Sequence, residues 1–347
     1  MNSIQNIFKG LTLILFIGVS VLFSRCKKEV EVENVGPTVE LTSPQKEEVI
    51  QFGDTVTISA NTNDPDGTIR DVQFYINGIR DCVLTTPPYT YEWFTIEEIT
   101  GVHVITAIAL DNHGEDGIDR ATIFLKDQGT VTDYDDNIYN WTRIGDQRWM
   151  VENLKSTHYT DGTEIPFVES TYGWENLSDS DKGYCYFENS SSNNDVYGAL
   201  YNWAAVMNGQ SSDDSIQIQG VCPTGWHLPS DTEWKELEVF LGLDTLNVDN
   251  IGWRGFNEGG KLKEEGTEHW DSPNTGATNI KDFTALPGGY RIYYGAFNEL
   301  GFGAYFWSAT EFNNTQSWKR YLHADEKSIG RKMELKNSGF SVRCIED

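Results

Sequence analysis

A chain of 347 residues is long for one hydrophobic core and points to two domains. Hydrophobic residues make up 38% and the chain holds 11 Trp, enough for packed cores, while 32 Gly and scarce leucine periodicity favour β-rich structure. The net charge of -27, from 26 basic and 53 acidic residues, repels phosphate backbones and sets nucleic-acid binding aside; such a surface suits a soluble exported protein.

Residues 1–25 read as a signal peptide. Lys9 supplies a positive start, and Leu11 to Phe23 is an uncharged apolar run shorter than the about 20 residues a membrane span needs. Cys26 then closes Leu22-Phe23-Ser24-Arg25-Cys26. This resembles the lipobox of bacterial lipoproteins, whose cysteine is diacylated and becomes the first mature residue; Arg25 stands where that pattern has a small residue. The resemblance implies lipidation at Cys26, a polar tether over 26–36, and membrane contact through the lipid anchor only. An uncleaved signal anchor is the alternative.

Residues 37–127 carry short alternating runs. Thr38 to Thr42, Thr55 to Ala60, Val72 to Ile76, Tyr89 to Trp93, Val102 to Ala107 and Ala121 to Leu125 predict strands. Asp66-Gly67, Asn77-Gly78, Pro87-Pro88 and Asn112-His113-Gly114 supply turns, and Asn-Gly is a strong hairpin signal. Six or seven strands in such a span predict an antiparallel sandwich. With Asn63-Asp64-Pro65-Asp66-Gly67, Phe74-Tyr75-Ile76-Asn77-Gly78 and Leu110-Asp111-Asn112-His113-Gly114, the unit resembles bacterial immunoglobulin-like modules. That implies a spacer or adhesive unit without a reaction of its own. Asp64, Asp66 and Asp111 could gather calcium, but turn chemistry explains Asp and Asn at these places more simply.

After a linker at Asp127 to Thr130, residues 130–347 change texture and become dense in Trp, Gly and Asn. Ile138 to Ile144 and Gln147 to Val151 predict a hairpin around Gly145-Asp146. Gly198 to Val206 predicts a helix with Leu200, Trp203 and Ala204 on one face. Ser230-Asp231-Thr232-Glu233 matches a capping box, and Trp234, Leu237 and Leu241 then repeat at helical spacing until Gly242.

Six blocks carry a further likeness: Ile144 to Leu154, Tyr197 to Trp203, Cys222 to Pro229, Ala285 to Gly289, Phe306 to Thr310 and Ser341 to Cys344. In this order they resemble the Fibrobacter succinogenes major paralogous domain, across nearly all of 134–347. The resemblance implies an exported envelope protein and no established biochemical activity. Gly225 to Trp234 and Gly339 to Arg343 are also similar to the helix start and terminal strand of formylglycine-generating domains. That implies an α+β C-type-lectin-like fold whose first and last strands pair. The catalytic cysteine pair of those enzymes has no counterpart at a matching place here, so the fold carries over and the chemistry does not.

Five cysteines leave four beyond Cys26. Cys222 and Cys344 are the leading disulfide pair in an exported chain, closing a loop of about 120 residues worth ~4–5 kcal/mol in the chain-entropy picture. Cys185 is the competing partner or a spare, and Cys82 has no partner in its own domain. His158, His227, His269 and His323 are scattered without a paired spacing, so no metal or other cofactor is expected. No phosphate-cradling loop or nucleophile elbow stands out, and no catalytic residue is assigned. Trp174, Trp253, Trp270, Tyr293, Tyr294 and Trp318 lie in Gly/Asn/Asp-rich stretches outside the six blocks. They are the candidate ligand-binding rings, able to stack on sugars or anchor a protein. Alternatively they hold loops down, since large rings are mostly buried. The expectation is a non-catalytic binding or adhesion protein whose partner is a glycan or a cell-surface protein. A purely structural envelope component, or an enzyme of the formylglycine-generating or glycan-hydrolysing type, are the alternatives.

Overall fold

The computed structural model describes residues 33–213 and 215–347. The signal segment, Cys26 and the first part of the tether lie outside the described residues.

The N-terminal unit has eight strands: β1 Thr38–Ser43, β2 Val49–Gln51, β3 Thr55–Asn63, β4 Ile69–Ile76, β5 Ile79–Leu84, β6 Tyr89–Phe94, β7 Gly101–Asp111 and β8 Asp116–Lys126. They form two sheets, ordered β1-β3-β6 and β2-β8-β7-β4-β5. Alternation explains the sandwich: Val56, Ile58 and Ala60 point inward from β3 and meet Phe74, Ile105 and Ile123 in one core. β5 is the returning arm of the Asn77-Gly78 turn, whose residues both take left-handed φ values of 51° and 82°. β2 is three residues long and pairs parallel with β8, too short to betray itself by alternation. The aspartates act in turns. Asp111 accepts the backbone N–H groups of His113, Gly114 and Glu115 at 2.6–3.0 Å, and Asp64 accepts those of Asp66 and Gly67.

The expected linker is a strand. β9 (Gln128–Thr132) pairs with β10 (Ile138–Ile144), so this strand starts directly after Asp127, the last residue of the first unit. The buried Asp127 explains the continuity, because Arg143 and Arg148 of the next hairpin grip its carboxylate at 2.9 and 3.1 Å. The second unit continues with β11 (Gln147–Met150), α1 (Thr171–Glu175), β12 (Tyr184–Cys185), α2 (Ser191–Tyr197), β13 (Leu200–Tyr201), α3 (Trp203–Met207), β14 (Trp226–His227) and α4 (Asp231–Phe240). Then follow β15 (Gly252–Arg254), α5 (Glu258–Leu262), β16 (Gly288–Arg291), β17 (Phe297–Leu300), β18 (Gly303–Asn313), β19 (Gln316–His323), β20 (Ile329–Leu335) and β21 (Ile345–Glu346). Its two larger sheets run β14-β21-β11-β10-β9 and β15-β20-β19-β18, and the described residues are sheet-rich with little helix.

Two expectations need correction. The helix expected over 198–206 starts at Trp203, because the buried Asn202 caps it by accepting the Ala205 N–H at 3.0 Å, while Leu200 and Tyr201 pair with β12. The terminal strand expected at Gly339 to Arg343 makes isolated bridges only, at Gly339, Phe340 and Ser341; the last strand is β21, which joins β14 to β11. By contrast, the capping box at Ser230 and Glu233 forms in both directions. Cys222 and Cys344 are disulfide-bonded, 122 residues apart, and Cys82 and Cys185 are free thiols.

A loop-rich unit has many carbonyls without a ladder partner, and buried cations satisfy them. Lys263 donates to the carbonyls of Thr275, His323 and Glu326, each at 2.9 Å. Arg291 does the same for Val168, Glu169 and Gly295, and Arg343 for Met150, Phe283 and Thr284.

The α4 cap holds a pH-sensitive contact. Buried His227 donates to Glu233 at 2.7 Å and to the C-terminal Asp347 at 2.9 Å. Burial lowers the His227 pKa, but the two carboxylates outweigh it and the net shift is upward. Burial raises that of Glu233, yet His227 and the Ser230 bonds bring it below its ordinary value. A raised His contributes stability that is complete below its unfolded value of about 6.5 and lost as pH rises through the folded value. A lowered Glu contributes above about 4.3 and loses its share as pH falls through its folded value. The stability advantage of wild type over His227→Gln should therefore peak between these limits and shrink on going from pH 6 to pH 8.5. Urea midpoints of both proteins across that range check it; a constant difference refutes the charged contact.

Candidate functional site

The sheet β15-β20-β19-β18 has two unlike faces, and the functional candidate lies on one of them. Register places Tyr305 opposite Tyr321, Tyr321 opposite Gly330, and Gly330 opposite Trp253, so one cross-strand row traverses all four strands. Lys319 and Lys332 form the next row on the same face, and Ser317 with Glu334 the one after. On the other face, Arg320 and Arg331 sit opposite each other without repulsion because α4 lays Asp231 and Glu238 against them. Arg254 of β15 completes this buried cluster through two 2.8 Å bonds to Glu238. The ions fasten helix to sheet and so fix the plane on which the aromatic row stands.

Tyr305 and Tyr321 of this row help to line an open hollow of about 210 Å³, together with Tyr290, Lys319, His323, Lys332 and Glu334. Tyr305 is its buried floor, and Tyr290 from β16 packs edge-on against it at 4.7 Å. Trp253 stands beside the hollow, 39% exposed, with its ring 4.4 Å from Tyr321 and 4.9 Å from His323. Lys319 lies beneath, its ammonium 4.9 Å from the Tyr305 ring and 4.5 Å from Phe340, and donates to Glu334 at 3.1 Å. Burial pulls the Lys319 pKa down against the pull of Glu334. Burial also lowers that of His323, whose Nε2 meets the Tyr305 hydroxyl at 2.9 Å, and the same hydroxyl donates to Glu299. The hollow thus offers ring faces bordered by an ammonium, an imidazole and carboxylates, a mixture suited to polyhydroxylated molecules.

Gly330 makes the row possible. A Cβ there would stand 2.2 Å from the Tyr321 ring, so any side chain would drive that ring off the sheet. Gly330→Ala should cost ~1–3 kcal/mol through overpacking and weaken the near-ultraviolet circular dichroism of the stacked rings. An unchanged spectrum and urea midpoint would mean the ring does not lie over the glycine.

Of the six rings proposed from sequence, the structure separates three groups. Trp253, Tyr293 and Tyr294 are exposed, and Trp318 is half-buried against Arg331 and Phe312. Trp174 and Trp270 must be withdrawn as ligand contacts. Both are buried, with indole N–H groups spent on the carbonyls of Asn337 and Ala285. Tyr290, Tyr305, Lys319, Tyr321 and His323 were not singled out. Their signal was the period-two set Lys319, Tyr321, His323 beside Arg320 and Leu322, a strand with two dissimilar faces. The histidines, expected to be scattered, do leave one trio of metal-type ligands among the described residues: Glu264, Glu268 and His269, with ligand atoms within 4.8 Å of one another. Both Glu264 oxygens lie 2.9 Å from His269 Nδ1, and this bond satisfies the ring without an ion.

Comparison with known proteins adds the following. Residues 37–107 match the family model for a bacterial Ig domain. No curated protein matches the chain. Among solved structures it is similar to the fibronectin(III)-like modules of Clostridium thermocellum CbhA, at 34% identity over 26% of this chain and 47% of that one, with a TM-score of 0.24. It thus spans about half of that chain's length. The endo-beta-1,4-mannanase of Thermotoga petrophila follows at 16% identity, covering 27% and 20% of the two chains, TM-score 0.23. The adhesin InvE of Yersinia pseudotuberculosis aligns over 90% of this chain and 70% of its own, at 8% identity and a TM-score of 0.22. Scores this low carry no argument about function. No helix among the described residues is long and apolar enough to cross a membrane. Residues 142–346, more than half of the chain, match the Fibrobacter succinogenes major domain, and the chain therefore belongs to that family, a membership that fits a cell-envelope protein.

Proposed function

We propose that the protein is a non-enzymatic envelope lipoprotein, anchored through Cys26 on the outer membrane, whose C-terminal unit is a lectin-like domain that binds glycan in the Trp253 hollow. The immunoglobulin-like unit holds that domain away from the membrane. The observation that carries this reading is the cross-strand row of rings with an exposed tryptophan at one end and charged hydrogen-bonding groups along its side. Sugar rings present apolar C–H faces and polar edges, and the row supplies a partner for each. A non-catalytic role is supported by the engagement of the acids in the hollow: Glu334 is paired with Lys319, and Glu299 accepts the Tyr305 hydroxyl.

A glycan array and calorimetry on residues 33–347, with both domains intact, test the reading. Wild type should bind at least one glycan class, and Trp253→Ala should bind it about five- to thirtyfold more weakly, the loss of one exposed ring anchor worth ~1–2 kcal/mol. Equal affinity in the two proteins, or no binding by wild type, would remove the proposal.

A further inference from the structure

The rings do not end at the hollow. Tyr290 stands on β16, and on the turn that follows it Tyr294 meets Tyr293 edge-on at 5.1 Å. Both rings stand exposed on the turn between β16 and β17. Thr171 of α1 packs against Gly295 and braces that turn: a Cβ added at Gly295 would come 2.8 Å from it. Rings therefore follow one another from Trp253 through Tyr321 and the buried Tyr305 to Tyr290, across the strands rather than along them, and Tyr293 and Tyr294 stand on the turn after β16.

Direction decides what such a row can hold. Neighbouring strands are about 4.8 Å apart, so a row that crosses a sheet presents a new position at that interval. One residue of an extended β-linked polysaccharide advances by a similar step. A compact ligand or a chain end needs one pocket closed on several sides, whereas this hollow is open and Trp253 extends the rings beyond Tyr321. Accepting the glycan-binding reading, we infer that the ligand is an extended β-linked polysaccharide bound along its length, laid across β15, β20, β19 and β18 from Trp253 over Tyr321 toward Tyr290 and the turn that carries Tyr294. Sugars with equatorial hydroxyls fit best, because both their faces are apolar and their edges reach Lys332 and Glu334 beside the row.

The test is calorimetric titration of residues 33–347 with β-1,4-linked gluco-, manno- and xylo-oligosaccharides of one to six units, and α-1,4-linked gluco-oligosaccharides as the bent-chain comparison. Affinity for one β-linked series should rise at least a hundredfold from one unit to four or five and then level off. Trp253→Ala and Tyr294→Ala, at opposite ends, should each shorten the length at which affinity levels off. Both side chains are substantially exposed, so the variants keep the fold, which an unchanged urea midpoint verifies. Binding of a monosaccharide as tight as that of a hexamer would overturn the polymer inference and leave glycan binding standing. An α-linked series bound as well as the β-linked one would also overturn it. Absence of binding by every series and by the glycan array would remove both.

Discussion

Replacing Glu238 by Gln should destabilise the C-terminal unit by about 3–5 kcal/mol, the cost of breaking a buried ion pair by removing one partner. Glu238 is fully buried and accepts from Arg254 at 2.8 Å through both terminal nitrogens, and from Arg320 through its Nε. The other acid, Asp231, is already shared between Arg320 and Arg331, and Lys235 reaches it as well. Burial would raise the Asp231 pKa, but these cations hold it far below the usual carboxylate range. Glu238→Gln takes away half of the negative charge facing three guanidinium groups and turns an amide N–H₂ toward donors. The sheet would then be pushed off α4, and the aromatic row on its other face would lose its support. Tryptophan fluorescence follows the transition, because all but Trp93 of the 11 tryptophans lie in the C-terminal unit. The urea midpoint should fall sharply with an unchanged slope, and high salt should leave the difference almost intact because the groups are dry. A loss below 1 kcal/mol would show that the cluster is wet and dispensable.

Loss of the Cys222–Cys344 bond should be of comparable size. The two residues are 122 apart, and a closed loop of that length is worth ~4–5 kcal/mol through restriction of the unfolded chain. Both half-cystines are buried in the main core of the unit, with Met150, Trp226 and Val342. The Cys222→Ala, Cys344→Ala protein should unfold at a much lower urea concentration than wild type. Reductant should bring wild type down to the same midpoint and leave the double variant unmoved. If reductant does not shift wild type, the bond contributes nothing beyond packing.

These two predictions mark where the sequence was readable and where it was not. Local chemistry announced itself: Asn77-Gly78 made its hairpin, Ser230 and Glu233 made their box, and export context paired the right cysteines. Those features depend on residues near in the chain, or on the small number of thiols. The sheet β15-β20-β19-β18 was hidden because its strands put charges inside. Lys319-Arg320 reads as a solvated pair, yet the two side chains leave opposite faces of β19, one into the aromatic hollow and one into the ion cluster. Burial was equally illegible at Trp174 and Trp270, whose indoles cap loop carbonyls that only the folded chain brings near. Trp253 could be proposed from its setting, but Tyr305, Tyr321 and Gly330 became its neighbours only through register. The start of α3 turned on Asn202, a cap that periodicity alone did not distinguish from the middle of a longer helix.

The claim on which the account rests is that the row from Trp253 to Tyr290 is where ligand meets protein. Nuclear magnetic resonance with selectively labelled tyrosine and tryptophan rings locates the contact directly. Titration with a five-unit β-linked oligosaccharide should move the ring signals of Trp253, Tyr321 and Tyr290 together, with one saturation curve, and leave Trp93 and Tyr172 still. Movement confined to rings elsewhere, with those three unchanged under saturating ligand, would contradict it.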